Sequence, residues 1–133
     1  MDLRAPDRAE FTLTDVLCGL AHAREFTRST LAGWRSDATV VTDALLAVTE
    51  LLTNAILHGL GVPVLRLTAR PGVLRVEVTD DSPALPAPRP AGPDGGWGLG
   101  VVERLSVAWG AERIGKGKVV WCELPDVPAG AAA

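Results

Sequence analysis

The sequence has few features typical of secreted, membrane or metal-binding proteins. It contains only two cysteines, Cys18 and Cys122, which form neither a disulfide framework nor a metal-ligand pattern. It contains no run of 18 apolar residues, and its first ten residues lack the apolar centre of a signal peptide. We therefore expect a cytoplasmic protein that makes no membrane contact, and we expect both thiols to be small buried hydrophobic groups.

Positive charge is also scarce. The 13 Lys and Arg are outnumbered by 16 Asp and Glu, which leaves a net charge of −3 and a pI near 5.3, and no basic tract occurs. Since proteins hold nucleic acid chiefly by neutralising its phosphates, this balance argues against direct nucleic-acid binding. With 133 residues, 47% of them hydrophobic, the chain has the size and composition of one globular domain.

The hydrophobic period changes along the chain and predicts both helices and strands. A period near 3.6 predicts helices from Asp15 to about Trp34 and from Asp37 to His58, and the second helix should end at Gly59. A third helix is expected from about Leu99 to Leu105. Strands are predicted at Glu10–Thr14, Val64–Ala69, Val73–Asp80, Val107–Arg113 and Lys118–Leu124.

The remaining segments suggest how the chain is organised. Residues 1–9 are expected to be a lead-in, residues 10–124 the domain, and residues 125–133 a tail that is frayed from Pro125. Residues 82–96 hold five prolines and three glycines, and a loop of this length is typical of a lid. The order of elements predicts an α+β fold. It should be a two-layer sandwich in which three helices cover one face of a mainly antiparallel, mixed sheet.

Polar side chains form one stripe on the second helix. Glu50, Asn54 and His58 are spaced four residues apart, so they lie on one side of that helix. Asn54 is the only Asn in the chain, and Asn is a mediocre helix former. A carboxylate and an amide oxygen one turn apart could hold Mg²⁺, or the carboxylate could act as a general base; a solvated helix face is the alternative.

A carboxylate ends the strand predicted at Val73–Asp80. Asp80 shares its strand parity with Val76 and Val78, so it is expected on the core face, where an unpaired charge is costly. A ligand amino group, such as the exocyclic amine of adenine, could supply the missing donor. Alternatively, Asp80 only begins the turn at Ser82.

A glycine-rich turn precedes the third helix. Glycines in the segment Gly95–Gly100 would let the backbone approach an anion, and the following helix presents free N–H groups. The segment is not the dinucleotide-binding fingerprint, because no strand directly precedes it and its spacing differs. A flexible hinge with a helix cap is the alternative.

In this order, the three motifs resemble those of the GHKL (Bergerat-fold) ATPases, a superfamily that includes gyrase and the histidine kinases. The chain is more similar to the small anti-sigma-factor serine/threonine kinases, as actinobacteria carry them. Glu50–Ala55 resembles the N box, Thr79–Pro83 the first glycine box and Gly96–Leu99 the second, while Gly117–Trp121 resembles the end of such domains. The resemblance covers about residues 10–124.

The resemblance implies a role for each matched residue. Asn54 would bind the Mg²⁺ that bridges the ATP phosphates, and Glu50 would be the general base that activates the attacking hydroxyl. Asp80 would accept a hydrogen bond from the adenine amine. The other residues implied in ATP binding are Ser82, Gly96, Gly98, Leu99 and Gly100.

Three further positions carry expectations of their own. The family usually has Asp-x-Gly in the first glycine box, and Ser82 stands where that glycine is expected, which predicts reduced affinity or a partly degenerate site. Lys118 is expected to be a solvated strand residue, and His58 a surface imidazole at a helix end.

Two hypotheses of function follow from the resemblance. In the first, the chain is an ATP-binding anti-sigma-type regulator. It binds a sigma factor, phosphorylates Ser or Thr on an anti-anti-sigma antagonist with Mg-ATP, and pairs as a homodimer through the first helix and its neighbouring strand. In the second, it is a binding module that sequesters a partner without phosphoryl transfer. A third alternative, a structural α+β domain that binds no nucleotide, would require all three motifs to be a coincidence.

The helical domain that carries the phosphorylated histidine in two-component kinases is not expected here.

Overall fold

The protein is described here from a computed structural model, in which residues 7–85 and 99–126 are placed. These residues form every helix and strand that the periodicity predicts, with shifts of a few residues at the ends. The elements are β1 (Asp7–Thr12), α1 (Val16–Gly33), α2 (Ala38–His58), β2 (Val64–Arg70), β3 (Gly72–Asp80), α3 (Leu99–Leu105), β4 (Ala108–Ile114) and β5 (Gly117–Asp126).

Two aspartates begin the long helices. The Asp15 carboxylate accepts hydrogen bonds from the Leu17 and Cys18 N–H groups, and Asp37 accepts one from Thr39. Each bond satisfies a backbone donor that the first helical turn leaves unpaired. Helix α1 ends at Gly33, one residue before the predicted end at about Trp34, and the left-handed residue that turns the chain is Arg35, with φ of 59°.

The five strands form one sheet in the order β1-β2-β3-β5-β4. All four neighbouring pairs are antiparallel, so the described sheet is antiparallel throughout, where the sequence suggested a mainly antiparallel, mixed one. Strand β5 continues through Pro125 to Asp126 because β3 offers it partners as far as Gly72. Strand β1 begins at Asp7, three residues before the predicted start, since β2 pairs with it over its whole length.

The core lies between the sheet and helix α2. This helix packs against β3 and β5, and α1 and α3 pack against it. Helix α2 is also long and apolar enough to cross a membrane, with a mean hydropathy of 1.6, but a helix covered on several sides needs the same composition. The apolar side chains that β2, β3 and β5 bury beneath the helices are Leu65, Leu67, Leu74, Val76, Val78, Val120, Cys122 and Leu124.

The other face of the sheet carries ion pairs. The Arg66 guanidinium lies 2.8 Å from the Glu10 carboxylate, and both side chains are about half exposed. Arg75 lies 3.1 Å from Glu123 and stacks over the Trp121 ring at 4.2 Å from its centroid. An antiparallel sheet commonly has one face on the core and one on water, and these residues make the wet face.

The two cysteines differ in environment. Cys122 is buried in the core, as predicted, whereas Cys18 is exposed on α1 and the prediction that it is buried is wrong. Burial raises the pKa of the Cys122 thiol to about 11, because the thiolate is poorly solvated there. The folded protein therefore keeps this thiol neutral at pH values where an unfolded chain would ionise it.

This difference predicts selective labelling of the native protein. With a thiol-alkylating reagent at pH 8 to 9, one thiol per chain should react rapidly and should disappear in Cys18→Ser, because Cys122 is both inaccessible and protonated. Denaturant should expose the second thiol. Rapid labelling of two thiols in the folded chain, counted by mass spectrometry, would contradict the burial of Cys122.

Candidate functional site

Helix α2 places Asn54 inside the protein. Its side chain is only 4% exposed, although the neighbouring polar position Glu50 is half-buried and His58, at the helix end, is exposed. The solvated helix face is therefore excluded for Asn54. His58, by contrast, is exposed at the end of the helix, as predicted.

The amide oxygen of Asn54 lacks a partner. Its Oδ1 atom is fully buried and accepts no hydrogen bond from the described residues. A buried acceptor in this state costs about 1–3 kcal/mol, so its presence calls for an explanation. One turn earlier the Glu50 carboxylate likewise has no ion-pair or hydrogen-bond partner in the described part of the chain. Two unused oxygen acceptors thus lie one turn apart, as a hard cation or its water shell would require.

Asp80, the last residue of β3, lies on the core face of the sheet, as its parity with Val76 and Val78 predicts. Its side chain is 1% exposed and lies 3.0 Å, through Oδ2, from the ammonium of Lys118 on β5. Oδ1 accepts a second bond from the same ammonium at 3.1 Å and one from the Ser82 N–H at 2.7 Å. Both alternatives for Asp80 therefore hold in part: it needs a donor inside the protein, and it also shapes the turn at Ser82.

The prediction for Lys118 is wrong. It stands directly opposite Asp80 in the β3–β5 register and is 2% exposed instead of solvated. The reason is strand parity, since Lys118 shares its side of β5 with Val120 and Cys122, both of which are buried. Sequence reasoning therefore missed a residue whose parity with its buried neighbours was visible.

Two glycines close around this ion pair. A Cβ at Gly59, the C-cap of α2, would lie 2.7 Å from the Asp80 carboxyl and would overlap the Ala55 carbonyl oxygen. A Cβ at Gly117 would overlap the Asp80 carbonyl oxygen. The end of α2, the end of β3 and the start of β5 thus meet around one carboxylate, and only residues without a side chain fit beside it.

The other predicted ATP-binding residues are distributed unevenly. Ser82 is buried next to Asp80, and its hydroxyl accepts a bond from the Ala84 N–H at 3.3 Å. Leu99 packs into the core at the start of α3, and Gly100 is exposed with open space around its Cα. Gly96 and Gly98 lie outside the described residues, as does most of the lid predicted at 82–96.

The residues fit the two ends of a bound Mg-ATP differently. The unpartnered Asn54 oxygen suits a Mg²⁺ ion. Residues 7–85 and 99–126 hold no cluster of three His, Cys, Asp or Glu, so phosphates and water would have to supply the other ligands. The Asp80 carboxylate, by contrast, is enclosed and already paired with Lys118. The Asn54 end therefore suits a metal ion, while the carboxylate that the resemblance implies in base recognition is engaged by the protein itself.

The antiparallel sheet, the helix α2 packed against it and the buried carboxylate at the end of β3 are features that the resemblance to ATP-binding domains implied. Comparison with known proteins agrees. The family model of the histidine kinase-like ATPase domain matches residues 17–123. The chain thus belongs to the histidine kinase-like ATPase family, which confirms the resemblance of its motifs.

Two known proteins are similar to this chain, one in sequence and one in structure. An uncharacterized protein of Streptomyces coelicolor, SCO4941, is 42% identical over 90 residues, which cover 62% of this chain and 82% of that protein. A crystal structure of the RsbU and RsbW domains of Rv1364c from Mycobacterium tuberculosis matches 90% of this chain with a TM-score of 0.68. At 20% identity this second likeness shows a shared fold, and the match spans only 32% of that longer chain.

The buried ion pair predicts a large effect of neutralising Asp80. The Asp80→Asn variant should lose about 3–5 kcal/mol of its free energy of unfolding, because Lys118 would be left as a buried charge without a counterion. Denaturant titration followed by circular dichroism would measure it. The matched variant Asp81→Asn alters an exposed neighbour and should change stability by less than about 0.5 kcal/mol. Equally small losses of stability in Asp80→Asn and Asp81→Asn would contradict the buried ion pair between Asp80 and Lys118.

The glycine contacts generate a second stability prediction. Gly59→Ala should lower the free energy of unfolding by about 1–3 kcal/mol, since its methyl group would press on Ala55 and Asp80. Gly33→Ala, at the end of α1, adds a methyl group to open space and should be neutral or stabilising by up to about 1 kcal/mol. Equal free energies of unfolding for Gly59→Ala and Gly33→Ala would contradict the close contact of Gly59 with Ala55 and Asp80.

Proposed function

We propose that the protein is an ATP-binding regulator of the anti-sigma-factor type. It binds a sigma factor and uses Mg-ATP to phosphorylate a Ser or Thr of an anti-anti-sigma antagonist, which makes it a protein serine/threonine kinase. Membership of the histidine kinase-like ATPase family supports nucleotide binding, and the sigma factor, the antagonist and the transfer step are the specific content of the proposal.

One observation carries the catalytic part of the proposal: the buried Oδ1 of Asn54 and, one turn earlier, the carboxylate of Glu50 both lack a partner among the residues that the structure describes. Phosphoryl transfer depends on positioning and charge neutralisation, which a metal-binding amide oxygen helps to provide. Glu50 would accept the proton of the attacking hydroxyl, a task for which an unpaired carboxylate is suited. Asn54 is therefore assigned to the metal and Glu50 to the proton.

The assembly and location of the protein are part of the same proposal. We place it in the cytoplasm as a homodimer that uses the start of α1 and the neighbouring strand β1. The support is that Val16 and Leu17 at the start of α1 are 60% and 95% exposed, which is unfavourable for apolar side chains unless a partner covers them.

A second function is favoured by the base-recognising end of the site. Asp80 is paired with Lys118, and Ser82 replaces the glycine usual in the first glycine box. If these features prevent nucleotide binding, the chain is a module that sequesters a protein partner without phosphoryl transfer.

Substitutions at Glu50 and Asn54 should separate binding from transfer. Glu50→Gln should leave calorimetric ATP affinity unchanged but slow transfer of labelled γ-phosphate to anti-anti-sigma proteins of the same organism by about 10²–10⁴-fold. Asn54→Ala should weaken the Mg²⁺-dependent part of ATP binding by roughly 10–100-fold. Asp43→Asn, two turns before Glu50 on the same helix, is the matched control and should leave both quantities unchanged.

The outcomes discriminate between the two functions. ATP binding without transfer to any anti-anti-sigma protein would favour the sequestering module. The absence of any heat of binding or thermal shift with Mg-ATP would reject nucleotide binding altogether. Transfer that persists in Glu50→Gln at the rate of the unaltered protein would show that the general base is another residue.

A further inference from the structure

Lys118 has no part in the function proposed above, yet it is one of the most completely buried side chains. The chain has only two lysines, and the other, Lys116, is exposed in the turn between β4 and β5. The Lys118 ammonium makes its ion pair with Asp80, at 3.0 Å, with both side chains 1% exposed. A buried ammonium is expensive, so it stays inside only while that carboxylate holds it.

The pair uses the same carboxylate that a nucleotide base would need. Oδ1 of Asp80 already accepts from the Lys118 ammonium and the Ser82 N–H, and Oδ2 also faces the ammonium. The close approach of Gly59 to the carboxyl blocks another side. An incoming amino group therefore has no free approach to Asp80 while the ammonium is in place.

We propose that Lys118 is an internal competitor for the base-recognising carboxylate, so that it determines both the affinity and the base selectivity of the nucleotide site. An adenine amine reaches Asp80 only when the ammonium withdraws. The inference rests on the nucleotide binding proposed above and adds to it a residue that opposes recognition of adenine.

The position of Lys118 makes withdrawal feasible. It is the second residue of β5, directly after Gly117 and next to the β4–β5 turn, where Gly115 has a φ of 56°. Its flexible four-carbon stem and strongly hydrated ammonium favour an exposed position once the carboxylate has another donor. If the free form is populated at about 10% or less, the apparent affinity for an adenine nucleotide falls about tenfold or more.

The competitor has a specific consequence for base selectivity. ATP offers an exocyclic amine that can donate to Asp80, whereas ITP has a carbonyl oxygen at that position, which a carboxylate repels, and its only donor on that edge is the ring N1–H beside it. While Lys118 holds the carboxylate, the benefit of the amine is cancelled by displacement of the ammonium, so the two triphosphates should bind with similar affinity. Removing the ammonium should strengthen ATP binding and leave ITP binding unchanged.

The test is calorimetric titration of ATP and ITP, each with Mg²⁺, into the full chain and into Lys118→Thr. We expect the ratio of ATP to ITP affinity to rise about tenfold or more in Lys118→Thr, through tighter ATP binding alone. Lys116→Thr is the matched control and should keep the ratio of the unaltered protein. Adding Asp80→Asn to Lys118→Thr should abolish the gain, because an amide can donate to ITP as well as accept from ATP.

Four results would overturn the inference. It fails alone if ATP binds but the ratio is the same in Lys118→Thr as in the unaltered protein, or if the unaltered protein already prefers ATP strongly. It fails together with the proposed function if no variant binds either triphosphate. A gain for ATP and ITP alike would show that Lys118 affects the site only through its overall structure.

A second variant is needed in case Lys118→Thr does not fold, since this substitution leaves Asp80 buried without its counterion. Lys118→Met keeps a long unbranched side chain and removes the same charge. If both variants are unfolded alone, refolding by ATP but not by ITP, followed by circular dichroism, gives the same answer. Refolding by neither or by both nucleotides counts against the inference.

Discussion

The buried pair between Asp80 and Lys118 constrains much of the structure around it. Taking each ion out of water costs several kcal/mol, and their attraction compensates only if the two groups meet in good geometry. That requires β3 and β5 to pair in the one register that sets these residues opposite each other. A slip of one residue would turn one partner to the outer face and leave the other unpaired, so the pair also specifies the register. The glycines at 59 and 117 follow from the same demand, because the carboxylate and its strand are approached too closely for any side chain.

The ion pairs on the outer face of the sheet do not constrain the strand register in this way. The Arg66–Glu10 pair is about half exposed, and such pairs contribute roughly 0–1 kcal/mol each. Arg75 adds a stacking contact with the half-buried Trp121 ring, which is worth on the order of 1 kcal/mol. These interactions can rearrange without disturbing the core. The Asp80–Lys118 pair, the one inward ion pair among residues 7–85 and 99–126, by contrast joins the two central strands β3 and β5 beside the end of α2. The candidate site and the framework of the fold therefore depend on the same residues.

The pattern of apolar residues was sufficient to predict the helices, the strands and the antiparallel character of the sheet, because burial of one face produces a period that is visible in one dimension. It also placed Asp80 inside, through its parity with Val76 and Val78. The partner of Asp80 could not be predicted in the same way, since pairing depends on the register between β3 and β5, which local periodicity does not contain. The prediction that Lys118 is solvated is wrong because it follows from the charge of the side chain, whereas the parity of Lys118 with Val120 and Cys122 indicates burial. The burial of Asn54 likewise depends on how α3 and the sheet surround α2, a property of packing and not of the helix alone.

The two ends of the candidate site are in opposite states, and this restricts how a nucleotide could enter it. At Asn54 a buried acceptor has no partner in the described residues, so a cation or donor arriving there gains a bond without breaking one. At Asp80 the carboxylate is enclosed and already accepts from Lys118 and the Ser82 N–H, so in our proposal an incoming donor reaches it only by displacing the ammonium. Interactions at the metal and phosphate end would therefore form first and at lower cost. If the exchange at Asp80 occurs as proposed, the base would be bound after the metal and phosphates. Its contribution to affinity would then be the difference between the contact it makes with Asp80 and the contact with Lys118 that it replaces.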